Sequence, residues 1–196
     1  QHTALGLAAA ACLILSGCTN AADWNANRSS QIHSYDTSSI QAQPDIIAKL
    51  PQGALDDGVL DVAASTDYAP AEFLDPSGKA VGYDVDLTNA IAAVLGVKGK
   101  VHTAEFDSII ASIGSKYDAG ISSFTVTPER TAEVDMTTYI NVGSRFNVQA
   151  GNPKGVETSD HLKLCGRTIG VQVGTDQETA MRKAADECSE AGKGVL

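Results

Sequence analysis

Between Gly58 and Ser123 short apolar runs alternate with stretches of helical period, and that alternation restricts the chain to an α/β layer architecture on a largely parallel sheet. GVLDVAAS (Gly58–Ser65) predicts a strand, and EFLDPSGKAVGYD a hairpin turning at Asp75–Gly78. DVDLTNAIAAVLG places Val85, Leu87, Ile91, Val94 and Leu95 on one side of a helix that stops at Gly96. KVHTAEF predicts a second strand. DSIIASIGSKYD predicts a helix with Ile109, Ile110 and Ile113 turned inward, and AGISS a third strand. Beyond a helix starting at Pro128, SRFNVQAG (Ser144–Gly151) and RTIGVQVG (Arg167–Gly174) predict two more strands, and DQETAMRKAADEC a last helix.

Polar residues gather just past the predicted strand ends, in STDYAP, EFDS, SSFTVT and VQVGTDQE. Ligands of open α/β sheets bind outside the carboxyl ends of strands, although strand-to-helix loops are polar in any case. In FTVTPER, Thr127 suits an N-cap, Pro128 the first helical position and Glu129 the positive helix end. Arg130 opposes that dipole. It makes sense with an anion between them, or as a surface arginine paired with Glu129 or Glu133.

Charged residues make up 19% of the chain and hydrophobic residues 43%, with a net charge of −10. That balance argues against nucleic acid and against adhesion to anionic lipid, and leaves zwitterionic ligands open. Residues 4–17 are uncharged and nearly all apolar, too short for the roughly 20 residues of a transmembrane helix but suited to a signal-peptide core. The run ends in LSGC, which resembles the lipobox of bacterial lipoproteins. Residues 1–17 are then a signal peptide and Cys18 the lipidated first residue of the mature chain, the alternative being an ordinary secretory signal with an incidental cysteine. Residues 18–44 are rich in Asn, Ser, Ala and Gln and predict a tether, or else a folded extension. Cys12 falls in the removed segment, which leaves Cys165 and Cys188 as an even pair and a predicted disulfide. No metal site is expected, since neither His nor a second Cys pair stands at ligand spacing.

TDYAPAEF, GKAVGYDVDLTNAIAAVLG, EFDSIIASIGSKYDAGISSFTVTPERTAEVDMTTYI and GRTIGVQVGTDQE follow one another in an order that resembles family 3 of the bacterial extracellular solute-binding proteins, the polar amino acid receptors of ABC importers. The resemblance implies a two-lobe, periplasmic-binding-protein-like fold of type II, with lobe 1 and a hinge strand over 45–147 and a partial lobe 2 over 148–196. Against that pattern the chain looks truncated at both ends. It also implies a monomeric, exported lipoprotein, anchored by lipid to the outer face of the cell membrane, with no cofactor and no chemistry of its own. Such a protein binds a polar L-amino acid of glutamine or glutamate type between the lobes and delivers it to the membrane permease. Two other classes stay open: an enzyme on the same scaffold, of cyclohexadienyl dehydratase kind, and a sensory ligand-binding domain.

The same resemblance assigns residues. Arg130 grips the ligand's α-carboxylate with its planar pair of donors, and Thr125 adds a hydroxyl and an N–H. Tyr68 lies over the ligand side chain and Phe106 forms the opposite wall, unless each is a core aromatic. Ser122 and Ser123 meet the ammonium. Thr175 closes onto the carboxylate from a second helix N-terminus. Asp67 stands near the side-chain pocket or caps a turn. Gln172 replaces a basic residue of some members, which weakens the case for an acidic ligand. Asp84 and Asp86 are expected to cap a helix, and His102 and His161 to be structural.

Overall fold

A computed structural model of the chain describes residues 34–194, and the expected signal segment and Cys18 lie outside them. In chain order the elements are α1 (Pro44–Ile47), β1 (Val59–Ala64), β2 (Asp67–Tyr68), β3 (Glu72–Leu74), β4 (Ala80–Val81), α2 (Tyr83–Val94), β5 (Lys98–Thr103), α3 (Phe106–Ser112), β6 (Ala119–Gly120), α4 (Pro128–Thr131), a 3-10 turn at His161–Lys163 and α5 (Asp176–Glu190).

Strand β1 is the centre of the parallel sheet. It pairs with β5 from Val59↔Lys98 to Ala64↔Thr103, and with β6 at Val62↔Ala119 and Ala63↔Gly120, giving the order β5-β1-β6. A strand covered on both faces needs apolar residues without alternation, and Val62, Ala63 and Ala64 are consecutively buried. On one face Leu60, Val62 and Ala92 pack with Leu95, Val97 and Ile121; on the other Ala63, Ile109 and Tyr117 pack with Ala104 and Phe124. Gly120 lets α3 come close, since a Cβ there would stand 2.6 Å from Ile109 Cγ2. The predicted hairpin forms a small antiparallel sheet, β2-β3-β4, with Asp75 accepting from the N–H groups of Ser77 and Lys79 in its turn.

Helix α2 buries only part of the side predicted: Val85 is inside and Leu95 packs against the core, but Ile91 is turned out. Asp84, Val85, Thr88 and Ala92 are inside, while Ile91 is 43% exposed. Small residues win the contact because the helix sits close on β5: a Cβ at Gly99 would meet the Ala92 methyl at 3.3 Å. Neither Asp84 nor Asp86 caps α2, whose N-cap is Gly82 with no side-chain cap bond. Asp86 instead accepts from Tyr35 N at 2.8 Å, and Gln43 N donates to Val94 O at 2.8 Å, so part of the stretch expected as a tether lies along this helix.

The two later predicted strands are corrected. Residues 144–151 and 167–174 form no ladder, and a strand exists only as a partner in one. Val148, Val171 and Val173 are exposed there. The predicted third strand is shorter than its apolar run, two residues in β6. Cys165 and Cys188 are joined in a disulfide that ties the 3-10 turn region to α5 around buried Leu164 and Ala184. Among the described residues no helix is long and apolar enough to cross a membrane.

Candidate functional site

The carboxyl ends of β1 and β6, the start of α3 and the segment around Gln172 enclose a cleft of about 760 Å³. Tyr68, Phe106, Ser122, Ser123, Thr125, Gln172 and Thr175, all singled out from the sequence, line it. Tyr68 is 54% exposed and stands on β2 at the mouth. Phe106 stacks on Phe124, ring centroids 4.5 Å apart, and the Arg130 guanidinium carbon lies 5.6 and 5.3 Å from the two centroids. Asp67 does not line the cleft; its carboxylate accepts from Ser65 Oγ at 3.0 Å.

Arg130 does not itself line the cleft, but its guanidinium reaches Thr125, which does. Its Nη1 donates to Thr125 O at 2.6 Å and its Nη2 to Gly174 O at 2.8 Å, so one guanidinium holds two loops far apart in sequence. Burial lowers its pKa and the nearby Asp176 carboxylate opposes that. Thr127 caps α4 by accepting from Arg130 N at 3.4 Å. With four residues α4 has few peptide dipoles to align, so the cation in its first turn is a smaller misfit than the sequence suggests. Thr125 contributes its carbonyl to Arg130 rather than a hydroxyl. Thr175 caps α5, accepting from Glu178 N at 3.1 Å and donating to Gln172 O at 2.7 Å.

Sequence reading missed the floor of the cleft. Glu72 is fully buried, and it lines the cleft. Ser122 Oγ donates to its Oε1 at 2.5 Å, while Oε2 has no hydrogen-bond partner. Burial, then the neighbouring Asp84, push this carboxyl up to about 9 against the Ser122 hydrogen bond, which lowers it. Ser122 in turn accepts from Ser65 N at 3.0 Å, and Ser65 Oγ accepts from Gln172 Nε2 at 3.2 Å. The amide of Gln172 is thus wired to Glu72 through two serines. The register offered a signal, because Glu72 pairs opposite Tyr68 and so shares its face of the hairpin. Tyr139 was also missed. Its hydroxyl donates to Asp84 Oδ2 at 2.8 Å and accepts from Ser123 N at 3.2 Å, holding Ser123 at a φ of 50°. Burial pushes the Tyr139 phenol far up. His102 pairs with Asp61, and His161 with Glu187 at 3.4 Å, both away from the cleft.

Residues 60–193 match the bacterial extracellular solute-binding proteins, family 3. The arginine-binding protein ArgT of Corynebacterium glutamicum is 32% identical over 153 residues, 76% of this chain and 49% of that protein. The L-cystine-binding protein TcyJ of Escherichia coli K12 is 33% identical over 128 residues, 64% of this chain and 47% of that protein. The chain therefore spans about half the length of the curated relatives it matches. Among solved structures, the ancestral amino acid-binding protein AncCDT-1, a precursor of cyclohexadienyl dehydratase, superposes with a TM-score of 0.60 at 32% identity, covering 71% of this chain and 60% of that one.

Proposed function

The chain belongs to family 3 of the bacterial extracellular solute-binding proteins and has their type II mixed α/β fold, and from that premise we propose that its ligand is a cationic L-amino acid of arginine type. The observation that carries this reading is buried Glu72, which lines the cleft and has an oxygen, Oε2, without a hydrogen-bond partner. A buried carboxylate is costly unless it meets a cation. A guanidinium offers two parallel donors that fit it. Ser122 holds the other oxygen of Glu72, and Gln172, bonded to Ser65, lines the same cleft. Arg130 takes the α-carboxylate by exchanging its two carbonyl acceptors for the ligand, and Tyr68 and Phe106 flank the side chain. ArgT, among the relatives, is named for binding arginine. The net charge of −10 favours the approach of a cation.

In this reading the whole protein captures the amino acid outside the cell and passes it to an ABC permease, with Cys18 as the lipid anchor. Glutamine is the second reading, favoured by one observation: a protonated Glu72 is a neutral donor that would suit an amide. Calorimetry of the full-length protein with L-arginine and L-glutamine separates them. Arginine is expected to bind at least about tenfold tighter, a difference of about 1.4 kcal/mol. Glutamine binding as tightly as arginine would overturn the assignment.

A further inference from the structure

Glu72 on β3 and Asp84 on α2 are both fully buried and lie close together: Asp84 N donates to Ala71 O at 2.9 Å, beside Glu72, and the two carboxyls are held by the adjacent hydroxyls of Ser122 and Ser123. Each leaves one carboxyl oxygen without a partner, Oε2 of Glu72 and Oδ1 of Asp84. The remaining oxygens are engaged: Ser122 Oγ donates to Glu72 Oε1, while Tyr139 OH and Ser123 Oγ donate to Asp84 Oδ2 at 2.8 and 3.4 Å. The ionisable groups that face Glu72 are Asp84 and Asp67, both acids, with the neutral Tyr139 behind Asp84. Adjacent carboxylates that lack a cation cannot both ionise cheaply. A proton kept on Glu72 would give its unpartnered oxygen a donor to offer and remove the repulsion between the two carboxylates. Only Glu72 of the pair lines the cleft.

We propose that Asp84 is a specificity-determining residue that acts through Glu72: in the free protein the two carboxyls hold one proton between them, and a cationic ligand side chain replaces that proton, which leaves to solvent. The proposal rests on the cationic reading of the site. The upward push on Glu72, to about 9, agrees with it. Charge is conserved in the exchange, one proton out for one cation in. A neutral side chain has no such exchange to make and meets a protonated acid. Asp84 thereby biases the cleft between the two ligand classes without touching either, because it sets how firmly Glu72 keeps its proton.

The test is a proton count. The full-length protein is titrated with L-arginine and with L-glutamine near pH 7.5, in two buffers of different ionisation enthalpy. The two ligands share an α-ammonium, so their difference isolates the side chain. Wild type is expected to release about one proton more with arginine than with glutamine. Asp84→Asn is expected to release fewer protons than wild type, since Glu72 without its acidic neighbour ionises more readily in the free protein, although burial still holds it up. Glu72→Gln, which keeps the shape, should release none even if Asp84→Asn folds poorly. Arginine binding without proton release, or an unchanged count in Asp84→Asn, would overturn the proposal while leaving the cationic reading intact. Failure of arginine to bind overturns the reading of the site itself. The pair is read separately in the ligand-free protein, where raising pH from about 6 to 9 should lower the melting temperature of wild type more than that of Asp84→Asn. An equal fall in both would count against a shared proton.

Discussion

The guanidinium of Arg130 donates to the carbonyl of Gly174, 44 residues further along the chain, at 2.8 Å, and with its other nitrogen to Thr125 O. Arg130 is therefore a structural tie as well as the group assigned to the ligand's carboxylate. Arg130→Ala in the full-length protein should cost about 2–5 kcal/mol of binding, a loss of about 30-fold to several thousandfold. It should also lower the melting temperature of the ligand-free protein, by the equivalent of about 1 kcal/mol for the lost hydrogen bonds. Arg130→Lys should bind weakly, since an ammonium cannot span both acceptors. Calorimetry and thermal melts read both effects, and near-wild-type affinity in Arg130→Ala would refute the carboxylate role.

Gly174 meets the other side of that tie. Its φ is 77°, and a Cβ there would stand 2.7 Å from Asp107 Cβ. Gly174→Ala should destabilise the protein by about 1–3 kcal/mol and weaken ligand binding, because the acceptor of Arg130 must shift. Denaturant melts that match wild type would show that this loop gives way freely.

Stability should fall with pH through Glu72. Its carboxyl is raised from 4.5 to about 9, chiefly by burial. The stabilising protonated form is complete below about 4.5 and is lost as pH climbs toward about 9. Melting curves of ligand-free wild type should accordingly drop more steeply across that window than those of Glu72→Gln, and saturating arginine should flatten the wild-type curve. Parallel curves for the two proteins would mean that Glu72 is charged throughout.

The disulfide closes a loop between positions 23 residues apart, and Cys188 is fully buried. Cys188→Ser should cost about 3 kcal/mol in the chain-entropy account, with little effect on the sheet around β1. Hydrogen exchange would localise the loss to the α5 region, whereas a loss spread over β1 and β5 would show the two parts melting as one.

Cys18 is expected to carry lipid in the exported protein, with the mature chain starting there. Mass spectrometry of the membrane fraction checks it. A free thiol at Cys18 in that fraction would leave the ordinary secretory signal as the better account of LSGC.

The parallel sheet was readable because β1 is a short apolar run bounded by polar loops and its partners lie within the chain. The side of α2 that faces the core was legible only in part: Val85 and Leu95 were placed inward, but a count of large apolar residues favours Ile91 while close packing on Gly99 selects Ala92. Residues 144–151 and 167–174 have strand patterns, yet a pattern supplies no hydrogen-bonded neighbour. At the cleft, hydroxyls and aromatics at strand ends were visible as types. Glu72 was hidden, because a glutamate in a hairpin reads as solvent-facing until the pairing with Tyr68 and the burial against Asp84 are known.

The central position of β1 has a consequence in time. Val62 is synthesised 57 residues before Ala119, the partner it meets in β6. At about 5–20 residues per second, roughly three to eleven seconds pass while Leu60 and Val62 have no complete sheet to join. Most contacts that define this strand are distant in sequence, which slows the search for them. The chain must therefore spend its early life with its central strand incompletely paired until β6 emerges.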